Sequence, residues 1–156
     1  MQLQEIFGPG DVLLDLPAHD KWEAIAALVA HLAVSGGIPE EREKELLESV
    51  LERERSMSTG MERGLAIPHA AVEGIEQLGA VLGVVRDPKG LDFESIDGEV
   101  TRLVVLLLIP RAQKLLHIRT LADIARGLGS PDLREALVLA GDPSEAWDVM
   151  GSPAKS

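Results

Sequence analysis

The side chains that could do chemistry here are few. The chain has four histidines and no cysteine, so thiolate nucleophiles, thiolate metal sites and disulfides are all excluded. Two of the four histidines, His69 and His117, stand where an imidazole could act. His69 follows Pro68 in GLAIPHAA, where a short apolar run ends. Proline fixes its own φ and holds Ile67 extended, so the backbone entering His69 is stiff. A reactive ring that must not wander is well served by such a mount, and strand ends line the ligand crevice of open α/β sheets. The alternative is a histidine that merely hydrogen-bonds the next loop. His117 stands near the start of LLHIRTLADIARGL, on an inward stripe with Leu121, Ile124 and Leu128. The first turn of a helix offers unpartnered N–H groups and a dipole that favours an anion. The two readings for His117 are a satisfied core histidine and a second imidazole facing an anion shared with His69.

Other chemistries find little support. His19 lies in a loop before a helix cap and His31 in a helix interior, and neither pairs with another ligand at metal spacing, so no metal site is expected. The chain lacks a G-x-S-x-G elbow, a G-x-x-x-x-G-K-[ST] loop and a G-x-G-x-x-G turn, and no cofactor is called for. What remains is histidine as the nucleophile itself.

The elements that must position these rings follow from patterning. A length of 156 residues and 46% hydrophobic composition suit one domain with a real core. Asp11 to Leu16 reads as a strand ended by Pro17. Asp20 with Glu23 resembles a capping box ahead of Ile25, Leu28, Val29 and Leu32, and Gly36-Gly37 stops that helix. Pro39 suits the first turn of a second helix carrying Leu46, Leu47, Val50 and Leu51. Ser56 to Gly64 is a small, polar loop, "LAIP" a strand end, and Gly79 to Val85 a further strand. Thr101 to Pro110 is the strongest strand, apolar enough to be buried on both faces. Helices are predicted over Leu115 to Leu128, Pro131 to Ala140 and Ser144 to Met150, followed by a frayed tail over 151–156. Together these give a three-layer α/β fold in one domain, 1–150.

The net charge of −11 leaves no basic face for nucleic acid. It points to a basic protein partner or, blandly, to solubility alone. The longest apolar run, Leu103 to Pro110, is too short to cross a bilayer, and the first residues lack a signal-peptide layout. These features suggest a soluble, cytoplasmic protein without direct membrane insertion.

The stretch LERERSMSTGMERGLAIPHA, followed about fifty positions later by LHIRTLADIARGL, resembles the enzyme IIA family of the phosphoenolpyruvate-dependent phosphotransferase system. The likeness is to the fructose/mannitol type, which includes the nitrogen-regulatory IIA proteins. It implies a mannitol-type IIA fold with a mixed, mostly parallel sheet flanked by helices. It further implies that His69 is phosphorylated by phospho-HPr and passes the phosphoryl group to a IIB component. His117 would steady the phosphorylated ring, Arg53 would complete the anion pocket, and the backbone around Thr59 and Gly60 would line it. The bland readings are a solvated Arg53 and ordinary turn residues at Thr59 and Gly60. Family members often carry a basic or polar residue soon after the histidine, where Ala70 and Ala71 stand here. The alternative function is a free-standing regulatory module whose phosphorylation controls a kinase, channel or transporter, and a third is a silent domain using His69 structurally.

Overall fold

The computed structural model describes residues 2–151; most of the expected tail, 152–156, lies outside the described residues. The centre of the molecule is β5 (Leu103–Pro110), whose eight residues are all buried. Its alternation sorts the core into two halves. Val104, Leu106 and Leu108 face α2 (Lys21–Ser35) and α3 (Glu43–Ser56), meeting Ile25, Leu28, Leu32, Leu46 and Val50. Leu103, Val105, Leu107 and Ile109 face the other way. There they meet α1 (Leu3–Ile6), α4 (Lys114–Leu128), α5 (Pro131–Leu139) and α6 (Pro143–Met150). Helix, sheet and helix make three layers, as the patterning requires.

The sheet is mixed. β1 (Val12–Leu13) pairs parallel to β4 (Gly79–Val84), and β4 pairs antiparallel to β5. On the other edge of β5 lie β2 (Leu65–Ala66) and β3 (His69–Val72), both parallel to it. Leu65 pairs Leu103, Ala66 pairs Val104 and His69 pairs Leu107, so β2 and β3 keep one unbroken register. They are one strand interrupted at Pro68, which accepts a bond from the Leu107 N–H but has no N–H of its own to give. His69 therefore opens a second strand segment, where the sequence placed it at a strand's end.

Local chemistry sets the helix ends. The Asp20 carboxylate accepts the Glu23 N–H at 2.8 Å, while the Glu23 side chain takes the His19 N–H at 2.8 Å. Gly36, at φ 85°, closes α2 in the left-handed conformation that glycine adopts without penalty. Ser130 and Asp142 cap α5 and α6 ahead of prolines in their first turns. Two expectations shift. The strand over Asp11 to Leu16 shortens to Val12–Leu13, because the chain turns at Asp15, φ 53°. Pro39 precedes a short 3₁₀ turn, Glu40–Arg42, and α3 begins only at Glu43.

Because Leu106 has no solvent exposure and packs on the α2–α3 side of the sheet, Leu106→Ala should leave a cavity there. It should lower the unfolding free energy by about 2–5 kcal/mol, read as a lower urea midpoint at unchanged slope.

Candidate active site

His69 stands on the face of the sheet that carries α4, since its pairing partner Leu107 belongs to that half of the core. Its ring is half-buried, and Nδ1 lies 2.8 Å from the Ile67 carbonyl oxygen. A carbonyl oxygen only accepts, so Nδ1 carries the proton. In the neutral ring, Nε2 then keeps the lone pair. Burial is the main force holding the His69 pKa below its usual 6.5, and the Arg53 charge adds to it. The Ile67 carbonyl and the Glu54 carboxylate pull the other way without prevailing. At neutral pH the ring is an uncharged nucleophile with one nitrogen committed and one free.

Arg53 lies on the last turn of α3, half-buried, and donates from Nη1 to the Met57 carbonyl at 3.0 Å. The structure thus brings the Arg53 charge within electrostatic reach of His69. Thr59 and Gly60 also come to this edge: Thr59 O accepts the Ile67 N–H, and Gly60 bridges Ala66. Their own amides, however, are spent. Thr59 gives its N–H (3.0 Å) and its hydroxyl (2.7 Å) to the Glu54 carboxylate, and Gly60 N–H donates to Ser58 Oγ at 3.1 Å. A Cβ on Gly60 would stand 2.7 Å from the Phe93 carbonyl oxygen, so glycine is needed for the close approach of two loops. Ser58 ties the same loops by donating to that carbonyl.

Sequence reasoning missed Glu54. It is 2% exposed and pairs with the buried Lys21, 3.6 Å away. Its signal was available: Leu46, Val50 and Glu54 recur every four residues on the buried side of α3. His117 is the fourth residue of α4 and 5% exposed, on a stripe with Thr120, Ile124 and Leu128. Thr120 is the buried member of that stripe where the sequence suggested Leu121, which is only half-buried. The His117 Nδ1 lies 3.0 Å from Thr120 Oγ1, and Nε2 lies 3.1 Å from Gln113 Oε1. Burial lowers its pKa as well.

The other histidines are bystanders: His19 is exposed, and His31 Nε2 bonds the Gly10 carbonyl. Among the described residues no group of three or more histidines and carboxylates could hold a metal, and no helix is long and apolar enough to cross a membrane. A cavity of about 650 Å³ lies at the far end of β5, beside Gly64 and Arg102, away from His69. Beside His117 in the chain the surface instead carries the exposed apolar side chains of Leu115, Leu116 and Ile118, and Met57 is exposed at the end of α3. Three basic residues, Arg111, Lys114 and Arg119, stand exposed in the same stretch of α4 and the turn before it.

Comparison with known proteins gives this arrangement a lineage. Residues 5–152 match the family model described as phosphoenolpyruvate-dependent sugar phosphotransferase system, EIIA 2. The chain belongs to that family. A nitrogen regulatory protein of Bradyrhizobium diazoefficiens is 31% identical over 153 residues, covering 98% of this chain and 97% of that protein. The fructose-specific EIIA component of the phosphotransferase system of Haloferax volcanii is 31% identical over 139 residues, covering 89% and 88%. Among solved structures, the nitrogen regulatory protein IIA-Ntr of Neisseria meningitidis superposes at a TM-score of 0.80 with 24% identity, covering 94% of this chain and 97% of that one. The IIA–phosphorylated IIB mannitol complex of Escherichia coli gives 0.75 at 21% identity, covering 92% and 96%. These structures share the fold, including the mixed sheet flanked by helices.

The electrostatics make a direct prediction for His69. Its NMR titration midpoint should fall below 6.5, and Arg53→Ala should raise it toward that value. An unmoved midpoint would separate Arg53 from the site. The sign for stability follows: above 6.5 both folded and unfolded rings are neutral, and below it the unfolded chain takes up the proton first. The His69 contribution to stability is therefore lost as pH falls from 6.5 through the folded midpoint.

Proposed function

We propose that His69 is the phosphoryl acceptor of this EIIA domain, residues 1–150, taking the group from phospho-HPr and passing it to a IIB component in the cytoplasm. One observation carries the reading: the Nδ1 bond to Ile67 leaves Nε2 as a fixed, neutral nucleophile. In the transfer, the Nε2 lone pair forms the new bond to phosphorus. The bond from phosphorus to the donor atom breaks, and its electron pair stays with the donor. His69 keeps its Nδ1 proton throughout, so the ring needs no separate base. Phosphoryl transfer asks for positioning and charge stabilisation, and these are the parts available here. The Arg53 guanidinium supplies positive charge and His117 a ring N–H. Thr59 and Gly60 serve as the wall that holds the edge in place, their amides being occupied by Glu54 and Ser58. The apolar side chains of Met57, Leu115, Leu116 and Ile118 give a protein partner something to bury.

A second reading shares the same chemistry. The relatives named nitrogen regulatory protein, aligned along nearly the whole chain, favour a regulatory module whose phosphorylation state governs binding to a target protein. Phosphorylation would place about two negative charges at the His69 edge, enough to reverse docking of a charged surface.

Incubation with phosphoenolpyruvate, enzyme I and HPr, followed by intact-mass measurement, tests the acceptor. The wild type should gain one acid-labile phosphoryl group, and His69→Ala should gain none. An unmodified wild type, or a modified His69→Ala, overturns the assignment. His117→Ala should still accept the group but transfer it roughly ten- to a hundredfold more slowly. Transfer at the wild-type rate would remove His117 from the site.

A further inference from the structure

The hydrogen bonds around His117 have a direction, and it can be read from one end to the other. Gln113 is the N-cap of α4, yet its side chain makes no capping bond. Its Nε2 donates instead to the Glu76 carbonyl at 3.3 Å. A carbonyl cannot donate, so the orientation of the Gln113 amide is fixed, and Oε1 is the atom turned to His117 Nε2, 3.1 Å away. An amide oxygen can only accept, so His117 Nε2 carries the proton. In the neutral ring Nδ1 must then accept, and its partner at 3.0 Å, Thr120 Oγ1, must donate. Glu76 carbonyl, Gln113, His117 and Thr120 form a relay in which every donor and acceptor is assigned. The arrangement mirrors His69, whose proton is held on Nδ1 by Ile67.

The geometry points to Gln113 and Thr120 as positioning residues for phosphoryl transfer, acting through His117 by holding it as the Nε2–H tautomer with the ring orientation fixed. The inference rests on His69 being the acceptor. His69 offers a lone pair and His117 a proton, which is what attack on phosphorus and stabilisation of its oxygens require respectively. When His69 is phosphorylated, the His117 Nε2–H passes from Gln113 Oε1 to a phosphoryl oxygen. The Thr120 hydroxyl, buried at 3% exposure, keeps Nδ1 as the acceptor throughout. The two residues differ in what they control. The hydroxyl of Thr120 could donate or accept, so it follows the tautomer. Gln113, locked by Glu76, sets it.

Two measurements test this. In the unphosphorylated protein, the ring nitrogen shifts of His117 should report the Nε2–H form alone, and Gln113→Leu should show both tautomers. Thr120→Val keeps the side-chain volume and removes the donor, and should slow phosphoryl transfer about fivefold with little change in donor affinity. Thr120→Ser keeps the hydroxyl and loses a methyl, and should stay within about twofold of wild type. A role in packing alone predicts the opposite ranking, with Val tolerated and Ser impaired. Finding that ranking, an Nδ1–H ring in the wild type, or an unmixed tautomer in Gln113→Leu would overturn the proposal. A wild type that accepts no phosphoryl group would instead sink the acceptor role of His69, while the ring shifts still decide the relay.

Discussion

The site depends on the hydrogen bond between the His69 ring and the Ile67 carbonyl. It fixes the proton on Nδ1, and so leaves the Nε2 lone pair free in the neutral ring. The bond exists because Ile67 faces the outer edge of the strand, away from β5. β2 and β3 share one register along β5, but Pro68 gives no N–H and the ladder loses a rung there. The Ile67 N–H is taken by the Thr59 carbonyl, leaving the Ile67 carbonyl to the imidazole two residues on. A lost ladder bond costs about 1 kcal/mol. The His69 ring on this edge strand is held by its own backbone.

A second constraint keeps that edge in place. The Glu54 carboxylate, buried on α3, accepts both donors of Thr59 and is answered by Lys21 from α2. A buried carboxylate is tolerated when its oxygens are paired and hydrogen-bonded, and here two Thr59 donors and the Lys21 ammonium, 3.6 Å away, meet it. Arg53 and Glu54, adjacent in sequence, therefore do opposite things: one leaves its charge at the surface near His69, the other is drawn inside to pin the wall. Their effects on the His69 proton oppose each other, so burial decides that the ring is neutral.

Much of the frame was written in local sequence. Asp20 announces its helix because capping is a short-range bond between neighbours. β5 announces itself because only a strand covered on both faces can be apolar without alternation. The pairing order was not readable, since the antiparallel contact of β4 with β5 depends on a connection rather than on either strand's composition. His69 and His117 stood out by residue type. Their partners did not: Gln113, Thr120 and Lys21 are ordinary polar residues until the fold sets them beside an imidazole or a buried carboxylate. Glu54 was hidden by the charged run ERER, whose composition suggests solvent although its spacing points inward.

Net charge proved a poor guide to the mouth of the site for a similar reason. The chain carries −11 overall, which by itself suggests a basic partner. Yet residues 111–119 contain three basic side chains and no acidic one, and eight of the nine are at least partly open to solvent. Screening at physiological ionic strength confines a charge's reach to about 8 Å. At the start of α4, Arg111 is paired with Glu73 at 3.1 Å, and Lys114 and Arg119 stand exposed beside Leu115, Leu116 and Ile118. The acidic remainder still matters at longer range in dilute salt, where it disfavours approach of an anionic surface from other sides. The charge of this stretch and the net charge of the chain therefore differ in sign.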